Sequence, residues 1–126
     1  MRLILFAAAG GALGAGARHL VNTAFLVWLG PGFPWATLTV NVVGSLLMGI
    51  LVQALMPFDG GAPALRVFLA TGILGGFTTF SAFSLDAWVL YEREQHVALA
   101  VYVAVSVLLS IAALVLGIAL VRSVMR

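Results

Sequence analysis

Thr71-Gly72-Ile73-Leu74-Gly75-Gly76-Phe77-Thr78-Thr79-Phe80-Ser81-Ala82-Phe83-Ser84 is the stretch on which the fold of this chain turns. It lies inside an apolar segment running from about Ala64 to Tyr91, yet it carries three glycines, five hydroxyl residues and three phenylalanines. Glycines lower the cost of leaving helical geometry, and hydroxyls can satisfy the backbone groups that such a departure exposes. The stretch therefore reads as a helix interrupted near 75–79. A continuous helix with a small-residue packing face is the plainer reading of the same residues. An interruption inside lipid requires that the loosened backbone be buried in protein or line a polar cavity. Carbonyls freed there are suited to holding a cation, as in interrupted transporter helices.

Three further apolar segments flank it. The first runs from about Leu3 to Leu29 and stops at Gly30-Pro31-Gly32. The second follows Pro34 and ends at Met56, before Pro57-Phe58-Asp59-Gly60-Gly61. The last runs from about His96 to Val121, after the charged Glu92-Arg93-Glu94. The spans are thus about 3–29, 35–56, 64–91 and 96–121. Each is long enough to cross a hydrocarbon core ~30 Å thick at ~1.5 Å per residue. The expected fold is all-α and integral to the membrane, with residues 1–126 as one domain. The start, MRLILFAAAGG, resembles a signal peptide, but its apolar run continues past Gly14 and reads as a retained helix.

Composition agrees. Of the 126 residues, 63% are hydrophobic and 8% charged, too few charges for a water-facing surface of this size. The net charge is +2 and every basic residue is an arginine, scattered rather than in a stripe, so no nucleic-acid footprint is present. Cysteine is absent, which removes disulfide and thiolate chemistry. No nucleotide loop, hydrolase elbow or metal-binding helix motif appears, so an enzyme is not expected. Arg2, Arg66, Arg122 and Arg126 fall on the side of the termini, and this modest bias favours cytoplasmic termini.

Several polar groups sit where lipid should exclude them. Asn41, within Thr37-Leu38-Thr39-Val40-Asn41-Val42-Val43-Gly44, suits an inter-helix hydrogen bond or donation to a small anion. Tyr102, Ser106 and Ser110 are spaced by four and share one helix face. They fit either a polar pore track or serines bonding back to their own helix. Phe80 and Phe83 share a face if helical; packing is the ordinary role, although ring edges also attract anions. Gly10, Gly14 and Arg18 are four apart, with Arg18 read near one end of its span as a lipid-headgroup anchor or an anion attractor. Asp86 suits a cap, an interhelical pair or a proton relay, and His19 and His96 read as interfacial.

Taken together, Gly10-Gly11-Ala12-Leu13-Gly14-Ala15-Gly16-Ala17-Arg18, the Asn41 segment, and Gly75-Gly76-Phe77-Thr78-Thr79-Phe80-Ser81-Ala82-Phe83-Ser84 resemble the Fluc, or CrcB, family of microbial fluoride channels. The resemblance covers nearly the whole chain in order; the third motif is its most specific part, with Ala82 where threonine is more typical. It implies a homodimer of oppositely inserted subunits, with two fluoride pores at the subunit interface, in the plasma membrane of a prokaryote (the inner membrane if Gram-negative). Phe80 and Phe83 would be the pore aromatics, Asn41 the pore amide, and Ser106 and Ser110 a polar track with Tyr102 nearby. Arg18 would stand at the vestibule, and the carbonyls of Gly75 and Thr78 would hold a structural sodium ion, Na+. The role implied is passive fluoride efflux. Dual insertion sits in tension with the arginine bias. The rival functions are a small proton-coupled multidrug exporter, which would need an acid in its first span and has none there, and a non-transporting subunit of a membrane assembly.

Overall fold

In the computed structural model, which describes residues 1–58 and 60–126, four helical spans lie side by side. Asp59, part of the turn expected after the second span, lies outside the described residues. Helix α1 covers Arg2–Leu29 and α2 covers Trp35–Leu55, with a short 3-10 turn at Met56–Phe58. The third span opens as α3, Pro63–Arg66, continues as a π-helix over Val67–Leu74, and returns to α geometry as α4, Gly75–Phe77. After a break, α5 covers Phe80–Glu92, and α6 covers His96–Val124.

The first helix stops where its sequence says it must. Gly30 adopts φ 75, a left-handed conformation that suits glycine, and its N–H still reaches the carbonyl of Leu26 at 3.0 Å. Pro31 follows and cannot extend the helix. At that end of the bundle Arg93 donates through Nη1 to the carbonyl of Pro31, 3.4 Å away. At the other end Arg122 donates through Nε to Oε1 of Gln53 at 3.1 Å. Trp28, Trp35, Trp88 and Tyr91 all lie exposed near the Gly30 end, as aromatics do at a membrane surface.

Two pairs of spans make most of the packing: α2 against α6, and α1 against the π-helix and α4. Both contacts are made by glycines that let backbones touch. Methyls added at Gly10 and Gly14 would run into the carbonyls of Phe68 and Ile73. Gly49 and Gly117 face each other's helices in the same way, against the carbonyls of Leu114 and Leu46. Lipid supplies no hydrophobic drive between helices, so this close approach is what holds them together. Gly117→Ala should therefore lower stability by about 1–3 kcal/mol, read as a fall in melting temperature in detergent. Gly16→Ala, whose methyl meets nothing within 4 Å, should leave it unchanged. Equal melting temperatures for the two variants would refute the packing argument.

The true interior is small. Leu38, Leu90 and Tyr102 form its centre, with Phe33 and Phe83 packed on them. Long apolar side chains elsewhere face outward, as lipid or a partner subunit permits and water does not.

Candidate functional site

The third span is interrupted at Thr78 and Thr79, the middle of the 30 residues from Pro63 to Glu92. Thr78 has φ −81 and ψ 157, and Thr79 has φ −153 and ψ 123, both extended. Two extended residues between helices strand backbone groups that an unbroken helix would have paired.

Asn41 takes up those of Thr79. Its Oδ1 accepts from the Thr79 N–H at 2.7 Å, and its Nδ2 donates to the Thr79 carbonyl at 3.0 Å. One amide side chain thereby meets both backbone groups of one residue, as a neighbouring strand would. The inter-helix hydrogen bond expected of Asn41 is present. A primary amide has two N–H donors, and the second finds no acceptor among the described residues.

The hydroxyls do as their positions suggest. Thr79 caps α5, its Oγ1 accepting from the Ala82 N–H at 3.1 Å. Thr78 donates through Oγ1 to the carbonyl of Leu74 at 2.9 Å, and its N–H reaches the same carbonyl at 3.0 Å.

These bonds divert two N–H groups from their helical partners. The Thr79 N–H, which would reach Gly75, goes to Asn41. The Ala82 N–H, which would reach Thr78, goes to the Thr79 hydroxyl. The carbonyls of Gly75 and Thr78 consequently accept no hydrogen bond among the described residues, whereas Gly76 is served by Arg18.

Arg18 lies deeper than the sequence suggested. It stands well inside the 28-residue α1, and its Nε donates to the Gly76 carbonyl at 3.2 Å. A cation at the C-terminal end of a half-helix also opposes the dipole of that end. Around Arg18 a cavity of about 330 Å³ is lined by His19, Asn22, Thr37, Thr79 and Asp86. The same arginine thus braces the break and faces a polar chamber.

A second cavity that also reaches Thr79, of about 400 Å³, brings together Asn41, Phe80, Phe83, Ser106 and Ser110. Five of the six residues picked from sequence as a pore set therefore line one space. Phe80 is 79% exposed and its ring lies 5.5 Å from that of Phe83. Ser106 is buried, and its Oγ has no hydrogen-bond partner among the described residues.

Tyr102 stands apart from this set. It is fully buried between the rings of Phe33 and Phe83, at 5.6 and 5.2 Å, and does not line the cavity. Its hydroxyl donates to Oδ2 of Asp86 at 3.1 Å. Spacing by four had grouped it with the serines; a tyrosine reaches further from the helix axis, and here it reaches towards α5. The Asp86–Tyr102 pair was not read from sequence, although both residues showed an unmet polar need in an apolar span. His96, at the start of α6, lies edge-on to Tyr91 at 5.8 Å.

Among known proteins, residues 5–118 match the family described as CrcB-like protein, Camphor Resistance (CrcB). The chain is 53% identical over 123 residues to a protein of Rhodospirillum centenum named fluoride-specific ion channel FluC, covering 98% of each chain. Proteins of the same name from Sphingopyxis alaskensis and Rhizobium meliloti are 52% identical over 113 residues and 51% identical over 123. Those matches cover 90% and 98% of each chain respectively.

Proposed function

The chain belongs to the CrcB family, and with that as premise we propose that it works as an antiparallel homodimer with a fluoride pore on each side of the subunit interface. It is a passive fluoride channel and not an enzyme, a multi-pass protein of the prokaryotic plasma membrane. The relatives give no support to a proton-coupled exporter or to a silent assembly subunit.

The observation that carries the pore assignment is the cavity uniting Asn41, Phe80, Phe83, Ser106 and Ser110 at mid-membrane depth. An anion leaving water needs hydrogen-bond donors strong enough to replace part of its hydration and weak enough to release it. An amide N–H and two hydroxyls offer this without a fixed positive charge. Ring edges of Phe80 and Phe83 add positive potential while keeping the site dry. A cavity half open to lipid cannot conduct; a second copy laid across Phe80 closes it. That copy also covers an aromatic side chain that is otherwise 79% exposed beside the break.

Arg18, His19 and Asn22 serve the polar chamber that shares Thr79 with the pore cavity as an approach for the anion. Asp86, held by Tyr102, lies in that chamber's wall and not in the pore cavity.

The structural Na+ belongs to the carbonyls of Gly75 and Thr78. Their fit rests on the hydrogen-bond inventory: both are left without donors by the bonds that form the break. Oxygen ligands of this kind suit a hard cation, and a bound ion would neutralise dipoles that otherwise stand uncompensated. Exchange of Na+ for N-methylglucamine should lower the melting temperature of the dimer and shift it towards monomer on size exclusion. No change in either would reject the sodium site.

The function itself is tested in sealed vesicles. Purified protein should release F− electrogenically, measured with an ion-selective electrode, and release Cl− far more slowly. Vesicles no leakier to F− than protein-free ones would overturn the reading.

A further inference from the structure

Three of the side chains that line the Arg18 chamber can carry charge: Arg18, His19 and Asp86. A guanidinium keeps its proton throughout the working range of pH, and the Asp86 carboxylate opposes it. With His19 neutral these two cancel formally. With His19 protonated the chamber is net positive. Histidine is the side chain whose charge ordinarily changes between pH 5 and 8, so the sign of the field along the anion's approach turns on this one residue.

His19 is free to change its charge. It is exposed, and on α1 it lies one residue from Arg18 and three from Asn22, both in the chamber wall. Its carbonyl accepts from Thr23 Oγ1 at 2.9 Å, but its imidazole makes no hydrogen bond, ion pair or ring contact among the described residues. Protonation therefore breaks nothing within the subunit. The elements packed on α1 bring no competing charge: α2, α4 and the π-helix hold no titratable side chain. Arg66 of α3 lies at the other end of the bundle, donating to the Leu55 carbonyl at 3.5 Å, and Arg2 lies at the far end of α1. Protons can also reach the site from water. The chamber shares Asn22, Thr37 and Asp86 with a cavity of about 240 Å³ beside residues 30–34, at the end marked by the exposed Trp28 and Trp88. Arg93 is the one further charge in that outer lining.

From this placement we infer that His19 makes fluoride conduction acid-sensitive: its protonation concentrates the anion in the chamber and speeds entry to the pore. The inference rests on the fluoride-channel reading and adds a variable charge to its fixed ones. His19 acts through the field and not by holding the ion, so dissolved salt weakens its effect. Acid is also the condition in which fluoride enters lipid as uncharged HF, so the channel opens its approach widest when the load is greatest.

Currents across planar bilayers test this, because HF crossing the lipid carries no charge. At a subsaturating F− concentration and about 0.01 M ionic strength, the current of the natural chain should rise about two- to fivefold from pH 8 to about pH 5.5. At about 1 M sodium gluconate, where the Debye length is ~3 Å, the rise should nearly vanish. His19→Gln should melt like the natural chain, its ring having no partner to lose, and should conduct at both pH values as the natural chain does at pH 8. His19→Lys should conduct at both as the natural chain does in acid. His96→Gln, outside both cavities, should keep the rise. A flat profile in the natural chain, or a full rise in His19→Gln, would overturn the inference and leave the channel standing. A rise that 1 M salt leaves intact would also overturn it, by tying the effect to contact and not to the field. Absence of any F− current from the natural chain at either pH would overturn the channel reading as well.

Discussion

Asn41→Leu should abolish fluoride efflux and destabilise the protein, although it exchanges a polar residue for an apolar one of similar shape in a membrane helix. On transfer energies alone that change is favourable in lipid. The geometry predicts the reverse. Asn41 accepts from the Thr79 N–H at 2.7 Å and donates to its carbonyl at 3.0 Å. Leucine leaves both groups orphaned at mid-membrane, at about 1–3 kcal/mol each. A loss of about 2–6 kcal/mol is a large part of the ~5–15 kcal/mol that holds a typical domain together. The measurements are melting temperature in detergent and F− efflux from vesicles. If Asn41 serves only to donate to the ion, efflux should fall while the melting temperature stays put. If it holds the break as described, both fall together, and an unchanged melting temperature would refute the clamp.

What could be read in the sequence follows from what sequence carries. Gly75-Gly76 followed by Thr78 and Thr79 announces an interruption because propensity and capping are local properties, and the helix breaks at those threonines. The four spans are legible for the same reason, since length and apolarity need no partner to be recognised. The π-helix over Val67–Leu74 had no such signal. Its residues are ordinary for a membrane helix, and its wider turn is seen only with α1 packed against it. Long-range polar partners were equally hidden. Asn41 is visibly an amide needing partners, but nothing local points to Thr79, 38 residues away. Arg18 finds its acceptor 58 residues on, in a carbonyl that exists as a free group only because the break has formed. Spacing by four fixes which face of α6 Tyr102, Ser106 and Ser110 leave from, but not how far each side chain reaches, and Tyr102 reaches Asp86 while the serines line the cavity.

Phe80→Ile and Phe83→Ile should each cut fluoride flux, and they should differ in what else they disturb. The ring of Phe80 is mostly exposed in the single chain and touches that of Phe83 at 5.5 Å. Isoleucine there removes the positive ring edge from the cavity while costing the subunit's own packing little. Flux should fall by more than about tenfold, equivalent to ~1.4 kcal/mol or more at the ion's least stable point, with the subunit's fold retained. Phe83 also packs on Tyr102, 5.2 Å away, and so supports the small interior around Leu38 and Leu90. Phe83→Ile should therefore lose flux and also lower the melting temperature by the cost of an imperfect core exchange, about 1–3 kcal/mol. The two variants separate ring chemistry from ring volume. Loss of flux in Phe80→Ile with assembly intact requires that the aromatic edge meet the ion. Should both variants conduct like the natural chain, the rings are packing residues, and the cavity's amide and hydroxyl donors would have to carry fluoride without them.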